Sequence, residues 1–199
     1  GLSGFDIYGR PDFASSGDVT KTFGGTSSAC PTISGVIALM LDKNPDLGWR
    51  DVQEILIESA KKVDLADTDW IDNGAGFHFN HKYGAGMVDA AAAVAMADGW
   101  TNLKAQKNSK DTNADPQTLN SGTTITRDFE IPDALRAEHV TLKLSTPGVK
   151  KGKLEIKLTS PSGMESIFCE LHDDNQNELE EWIFMSVRHW GEDSRGTWR

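Results

Sequence analysis

The stretch that decides the fold is Gly24-Gly25-Thr26-Ser27-Ser28-Ala29-Cys30-Pro31, which runs directly into Thr32-Ile33-Ser34-Gly35-Val36-Ile37-Ala38-Leu39-Met40-Leu41. A polar, glycine-rich turn precedes a run that is apolar around most of a helical circumference, which predicts a buried helix over about Ser27 to Lys43. Pro31 suits the first turn of such a helix, where its missing N–H has no intrahelical partner to lose. The helix is expected to end at Asn44-Pro45, because proline cannot continue it.

The position of Ser27 gives this turn its chemical interest. At the start of a helix, its hydroxyl and the unpaired N–H groups of the first turn point to one place, with the positive end of the helix dipole behind them. Such a group of donors stabilises a developing oxyanion. The simpler interpretation is that Ser27 is an N-cap, which is the commonest role of a serine before an apolar run, and the local pattern alone favours it.

A wider motif reverses that preference. Gly25-Thr26-Ser27-x-Ala29-x-Pro31 resembles the nucleophile motif of the subtilisin-like serine proteases, and the continuation from Gly35 to Gln53 is similar to their kexin/furin branch. This resemblance implies that Ser27 is the catalytic nucleophile and that its own N–H binds the oxyanion. It also implies that Thr26 and Gly25 form the substrate wall beside it.

A serine hydroxyl needs a base, and that base needs a group that orients it. The subtilisin-like family carries its Asp, its His and its oxyanion Asn upstream of the serine, and the 26 residues before Ser27 contain no histidine. The five histidines all follow it: His78, His81, His139, His172 and His189. We therefore expect this chain to be the C-terminal part of an endopeptidase and to be inactive alone. Calcium sites implied by the family would also lie upstream, so no cofactor and no metal site is expected here.

Short elements are predicted on both sides of the serine. Two strands are expected before it, at about Phe5–Tyr8 and Val19–Phe23. After it, an amphipathic scaffold helix is expected over about Trp49 to Val63, with Gly48 as its N-cap. Its apolar face carries Val52, Ile55, Leu56, Ala60 and Val63, and its polar face carries Arg50, Gln53, Glu54, Glu58 and Lys61.

The next segment carries residues of metal-binding type. Asp67, Asp69 and Asp72 lie in a polar loop over residues 64–75, but their spacing is not that of an EF-hand and no Glu closes it, so a solvated loop is favoured. His78 and His81 belong to a predicted hairpin over residues 77–84. Histidines three apart on a strand point to opposite faces, which argues against a shared metal.

Residues 73–90 resemble the end of a kexin-type catalytic domain. Gly84 and Gly86 are interpreted as tight-turn residues, because the strand–GxGxxG–helix order of a nucleotide site is absent. An alanine-rich helix to about Ala97 follows. The catalytic-domain portion, an α/β subtilisin-like region of helices and short strands, is therefore assigned to residues 1–100.

From Asp98 the composition becomes polar, which predicts a connector over about 101–118 that leads into a second domain. Beyond it the hydrophobic pattern has a period of two, typical of an antiparallel β-sandwich. Five β-rich runs are predicted: 124–129, 139–144, 154–158, 166–169 and 182–187.

The β-rich half, residues 101–199, resembles the P domain that follows the kexin and furin catalytic domains. Its motifs are Ile131-Pro132-Asp133, residues 158–163, Arg188-His189-Trp190-Gly191-Glu192 and Gly196-Thr197-Trp198. The resemblance implies an all-β jelly roll that stabilises the catalytic domain. Both domains are expected to be incomplete, and strands missing after Trp198 would leave an exposed sheet edge.

Two alternative functions stay open. One is a pseudoenzyme whose parent has lost the Asp or His of the triad. The other is a carbohydrate- or protein-binding β-module, in which Asp173, Asp174 and Trp190 would line the site, although an acidic turn and a core tryptophan are the simpler interpretations.

Composition restricts the partners. The net charge of -10 argues against nucleic acid and favours basic peptides, and no apolar stretch has the roughly 20 residues of a membrane span. The expected partner is a peptide or protein substrate, with basic residues before the cleaved bond, although no residue here carries that specificity. Cys30 and Cys169 are interpreted as buried free thiols. The family implies a secreted or secretory-pathway location, bacterial or eukaryotic.

Overall fold

The computed structural model describes residues 24–113, 115–175 and 178–199, so the strands predicted at Phe5–Tyr8 and Val19–Phe23 lie outside the described residues. The chain divides into two compact units. Unit 1 comprises Gly1–Ser59 and Val88–Leu103, and unit 2 comprises Ala60–Met87 and Lys104–Arg199. The division into domains at residues 1–100 and 101–199 stays a prediction.

In unit 1, the residues from Gly24 onward form three helices: α1 over Thr26–Lys43, α2 over Trp49–Ser59 and α3 over Ala90–Ala97. The alanine-rich α3 packs against both other helices, since side chains this small allow close approach. The core of unit 1 contains the buried residues Val36, Met40, Leu47, Val52, Ile55, Ala93 and Ala97. The predicted alanine-rich helix is confirmed, and Asp89 caps it by accepting the Ala92 N–H at 3.0 Å.

Helix α1 differs from its prediction in two respects. It begins at Thr26, so Pro31 lies in the second turn rather than the first. Its burial is also limited to Val36 and Met40, whereas Leu39 and Leu41 are 56% and 38% exposed. The expectation of a buried helix is wrong for the described part of unit 1, because the elements described there cover one face of α1 only.

Helix α2 is shorter than predicted and ends at Ser59. It stops there because Lys61 instead pairs its backbone with Met87 in an antiparallel bridge. Glu54, assigned to the polar face, is 2% exposed, since the buried face of α2 is wider than the apolar pattern indicates.

The described residues of unit 2 form eight short strands, all in antiparallel pairs. Two precede the connector, β1 over Ile71–Asp72 and β2 over His78–Phe79, and they pair with each other. The others are β3 over Phe129–Ile131, β4 over Val140–Leu144, β5 over Ile156–Thr159, β6 over Glu165–Cys169, β7 over Trp182–Ser186 and β8 over Gly196–Trp198.

Their pairing is nested: β3 pairs with β8, β4 with β7, and β5 with β6. Such nesting, in which the first strand meets the last, is that of one long hairpin rolled up on itself, as in a jelly roll. This pairing agrees with the all-β jelly roll that is predicted for the β-rich half.

Strand β5 shows the expected alternation. Leu154, Ile156 and Leu158 are buried, whereas Glu155 and Lys157 are exposed. The first predicted run, 124–129, is wrong, because the strand begins only at Phe129. Residues 124–127 have strand-forming side chains but no partner strand among the described residues, and β-propensity alone does not make a strand.

None of the helices in the three described ranges has both the length and the apolar character that a membrane crossing requires.

Candidate active site

Ser27 is the second residue of α1 and is exposed. The N-cap is Gly25, with φ 77° and ψ -166°, and no side chain caps the helix. This positive φ favours glycine, so Gly25 permits the sharp entry into the helix. Since Gly25 is the cap, the interpretation of Ser27 as an N-cap does not hold.

The backbone of this turn leaves donors at the helix start. Gly25 carbonyl oxygen accepts both the Ser28 N–H, at 3.1 Å, and the Ala29 N–H, at 3.2 Å. The N–H groups of Thr26 and Ser27 precede these and have no intrahelical acceptor. An oxyanion bound there would also meet the positive end of the α1 dipole.

The hydroxyls along α1 divide into two kinds. Thr32 and Ser34 fold back and donate to helix carbonyls four residues earlier, at 3.0 and 3.1 Å. Ser27 instead faces outward at the end of the helix, and Pro31, four residues later, lacks the N–H that would bond to its carbonyl. The three predicted site residues Gly25, Thr26 and Ser27 thus form one exposed turn.

The far end of α1 is anchored. Asn44 N–H donates to Met40 carbonyl oxygen at 2.8 Å, Asn44 Nδ2 donates to Ala97 carbonyl oxygen at 3.0 Å, and Lys43 pairs with Asp98 at 3.0 Å. An exposed reactive turn on an anchored helix is a suitable support for a nucleophile. Unit 1 has no histidine in its sequence, so the base of a triad is not supplied by this unit.

Asp51 supports unit 1 in a way that the sequence did not reveal. Its buried carboxylate accepts the Gly48 N–H at 2.7 Å, the Leu103 N–H at 2.7 Å and the Trp100 Nε1–H at 3.1 Å. Burial raises the pKa of Asp51, but these three hydrogen bonds outweigh it and hold the pKa below its usual value. An acidic residue at this helical position predicts a first-turn role only, and the bonds to residues 100–103 depend on the fold.

The two neighbouring histidines have separate environments in unit 2. His78 packs edge-on against Trp70, with ring centroids 5.5 Å apart. His81 Nδ1 lies 3.0 Å from the Asp69 carboxylate, and its Nε2 accepts the Ile167 N–H at 3.1 Å. His81 is therefore a structural link between the acidic loop and β6.

The acidic loop does not fit a calcium ion. Asp67 binds the Lys82 ammonium, Asp69 binds His81, and Asp72 binds the Lys62 ammonium at 2.9 Å. The hydrogen bond from Lys82 is the main reason that the pKa of Asp67 falls to about 2. Since each carboxylate binds a different partner, they form a braced loop rather than a set of converging ligands.

The motifs that carry the family resemblance meet at one turn in unit 2. Asn73 Nδ2 donates to the carbonyl oxygens of Arg188 and Trp190, at 2.9 and 2.8 Å. Asn73 Oδ1 accepts the N–H groups of Ala75 and Phe77, each at 3.0 Å. The end of the predicted catalytic portion is thus bonded to the β-rich half of the chain.

Glu192 completes this junction. Its Oε1 accepts the Gly74 N–H and the Ser162 hydroxyl, both at 2.7 Å, and its Oε2 lies 3.5 Å from His189 Nδ1. Burial raises the pKa of Glu192, but the His189 imidazole, the Ser162 hydroxyl and the Gly74 N–H lower it to about 2 overall. Sequence reasoning missed this role, and the one available signal was the Asn73-Gly74 dipeptide, which is of a type that favours turns.

Burial confirms one interpretation of a single residue, the core tryptophan, and corrects another, the buried thiols. Trp190 is 0% exposed, so it lies in the core and cannot line a binding site with Asp173 and Asp174; Asp174 instead pairs with Lys151 at 3.0 Å. Cys30 and Cys169 are both free, as expected, but neither is buried. Cys169 is half-buried, and Cys30 is exposed because the face of α1 that carries it is uncovered in the described residues.

Comparison with known families accounts for both halves of the chain. Residues 10–86 match the subtilase family, and residues 137–199 match the proprotein convertase P-domain. Residues that match subtilases are therefore followed by residues that match the P-domain, which confirms the predicted fold class, a subtilisin-like portion followed by an all-β jelly roll.

Its relatives narrow this class to one branch. The chain is 38% identical over 190 residues to PC3-like endoprotease variant B of Hydra vulgaris, across 90% of this chain and 27% of that protein. It is 36% identical over 200 residues to the dibasic-processing endoprotease of Schizosaccharomyces pombe, across 92% and 28% respectively. It is 36% identical over 195 residues to kexin of Saccharomyces cerevisiae, and the match covers 92% of this chain and 24% of kexin. The chain is a homologue of the kexin-type endoproteases.

The fold comparison agrees. The crystal structure of the serine protease of Aeromonas sobria superposes with a TM-score of 0.77 at 26% identity, and covers 88% of this chain and 36% of that one. The chain spans about a quarter of the length of the curated relatives that it matches.

Proposed function

We propose that this chain belongs to a serine endopeptidase in which Ser27 is the nucleophile. The Ser27 hydroxyl attacks the scissile carbonyl, a histidine base takes its proton, the amine departs, and water then hydrolyses the acyl-serine. The Ser27 N–H binds the oxyanion, while Thr26 and Gly25 form the adjacent substrate wall. The aspartate, the histidine and the oxyanion asparagine come from residues outside these 199. Any calcium sites lie there too.

The observation that carries this proposal is the turn at the start of α1. Gly25 caps the helix by its backbone, which leaves the Ser27 hydroxyl exposed beside N–H groups that have no intrahelical acceptor. Thr32 and Ser34, by contrast, donate their hydroxyls back to helix carbonyls. The kexin-type homologues give the reaction class.

We further propose that the substrates are peptides or proteins cut after paired basic residues in the secretory pathway or outside the cell. The name of the Schizosaccharomyces pombe relative, a dibasic-processing endoprotease, supports this specificity. The net charge of -10 attracts cationic peptides, although this effect is not specific.

The test is Ser27→Ala in the full-length protein, with Ser28→Ala as the matched control. The expected result for Ser27→Ala is a loss of about 10³-fold or more in peptide-bond cleavage together with loss of labelling by a fluorophosphonate. Ser28→Ala should retain both. Undiminished cleavage by the Ser27 variant would refute the nucleophile, and a full-length protein that ignores the probe would indicate a pseudoenzyme.

A further inference from the structure

Adjacent basic residues occur at two places in the sequence, Lys61-Lys62 and Lys150-Lys151. Both pairs lie in unit 2. An endopeptidase that cuts after paired basic residues, which is the proposed function on which this inference rests, would meet its own substrate sequence there. We propose that the fold shields both pairs from cleavage by the protein's own peptidase activity.

The first lysine of each pair has its backbone in an isolated antiparallel bridge. Lys61 is paired with Met87, and Lys150 is paired with Glu178. In the first bridge the Lys61 N–H donates to Met87 carbonyl oxygen at 2.9 Å, and the Met87 N–H donates to Lys61 carbonyl oxygen at 2.8 Å. A peptide that binds as an added strand uses these same backbone groups. The bridges therefore compete with binding to a protease.

The second lysine of each pair has its ammonium group neutralised by an aspartate. Lys62 Nζ lies 2.9 Å from Asp72 Oδ1, and Lys151 Nζ lies 3.0 Å from Asp174 Oδ2. This second lysine precedes the bond that would be cut, so its charge is the one that a specificity pocket would recognise. The same arrangement, a bridged first lysine and an ion-paired second one, occurs at both pairs.

The bond after Lys151 is shielded from several sides. Its cleavage would consume one water and give a Lys151 carboxylate and a Gly152 amine. The Lys151 carbonyl oxygen, however, accepts the Leu154 N–H at 3.1 Å, and the Gly152 N–H donates to Asp174 carbonyl oxygen at 3.1 Å. A Cβ added at Gly152 would lie 2.3 Å from Asp174 carbonyl oxygen. The neighbouring chain packs directly on the bond, and only glycine fits.

The connector, in contrast, is accessible but has no paired basic residues. Residues 104–113 contain no helix or strand, and Lys107 and Lys110 are exposed there. No two basic residues are adjacent in this segment. Basic residues thus occur singly where the chain is accessible and in pairs only where the backbone is tied down.

The test is limited digestion of the whole 199-residue chain with added trypsin, which cuts after Lys or Arg and does not depend on Ser27. Mass spectrometry follows each bond, and each rate is divided by that of the same bond in the urea-unfolded chain. The bonds after Lys107 and Lys110 should be cut about tenfold or more faster than those after Lys62 and Lys151. Equal normalised rates at the connector and at the pairs would overturn the proposal.

Two variants separate the contribution of backbone packing to the shielding from that of the ion pair. Gly152→Ala should speed cleavage after Lys151 by about tenfold, since its Cβ forces the packed segments apart. Asp174→Asn should speed it by about two- to fivefold, because partly exposed ion pairs contribute little. Gly35→Ala, whose Cβ meets open space, and Asp173→Asn are the matched controls and should change nothing.

These outcomes are independent of the nucleophile assignment. If circular dichroism shows that Gly152→Ala unfolds the chain, the surface variant Asp174→Asn decides, and an unchanged rate in that variant refutes the role of the ion pair. The proposed specificity is checked separately by comparing paired and single lysine substrates with the full-length protein. Loss of that preference would refute dibasic processing while leaving the shielding measurement intact.

Discussion

Two turns of this molecule use similar residues for opposite purposes. The turn at Gly25 exposes Ser27 at the start of α1, with a backbone cap and no side-chain hydrogen bond that closes it. In the second turn the Asn73 side chain is buried, and its amide is bonded at four points within unit 2. The first turn leaves its polar groups available for a reaction, whereas the second uses them in hydrogen bonds that stabilise the fold. The two turns should therefore respond in opposite ways to mutation.

The largest expected effect on stability is at Asn73. Asn73→Ala removes two donors to buried carbonyls and two acceptor bonds, and should lower the free energy of unfolding of unit 2 by about 3–5 kcal/mol. Urea unfolding of the 199-residue chain measures it. Asn120→Ala, at an exposed position, is the control and should stay within about 0.5 kcal/mol. A similarly small change for Asn73→Ala would mean that the junction does not hold unit 2 together.

The next effect is the acid sensitivity of the same junction. The pKa of Glu192 is lowered from 4.5 to about 2, so its contribution is fully present above about pH 4.5 and is lost as pH falls towards 2. We expect up to about 3 kcal/mol of stability to disappear over this interval. Glu192→Gln should flatten that part of the stability–pH curve, and Glu180→Gln, on the exposed surface, should not. A curve that is unchanged by Glu192→Gln would remove Glu192 as its cause.

Asp51 provides the corresponding test in unit 1. Asp51→Asn places an amide N–H opposite a backbone or indole donor and should destabilise unit 1 by about 1–3 kcal/mol. Hydrogen exchange of the α2 amides reports the change. Asp46→Asn, which is exposed, is the matched control. If both variants exchange alike, the three hydrogen bonds to Asp51 add no net stability.

The smallest expected effect on stability is at the residue proposed to matter most for catalysis. Ser27→Ala should change the free energy of unfolding by less than about 0.5 kcal/mol, because the hydroxyl caps nothing and alanine favours a helix. Thermal melting beside Ser28→Ala measures it. A loss of more than about 1 kcal/mol would show that Ser27 has a structural role and would weaken the contrast between the turns.

Much of the architecture follows from the sequence. Period-two alternation at Leu154, Ile156 and Leu158 places a strand with one buried face, because side chains alternate across a strand whatever it packs against. The alanines of α3 likewise predict a close-packed helix. The motif around Ser27 identifies the candidate nucleophile, because a serine in a short motif at a helix start can be recognised from neighbouring residues alone.

Tertiary structure alone decided how far these elements are buried and what their polar groups bind. The apolar run of α1 has the composition of a buried helix, yet Leu39 and Leu41 remain exposed because burial depends on which segments cover a face. The hydrogen bonds from Asn73 to Arg188 and from Gly74 to Glu192 join residues more than a hundred positions apart in sequence. No local pattern encodes such a pairing, because it forms only when the chain has folded.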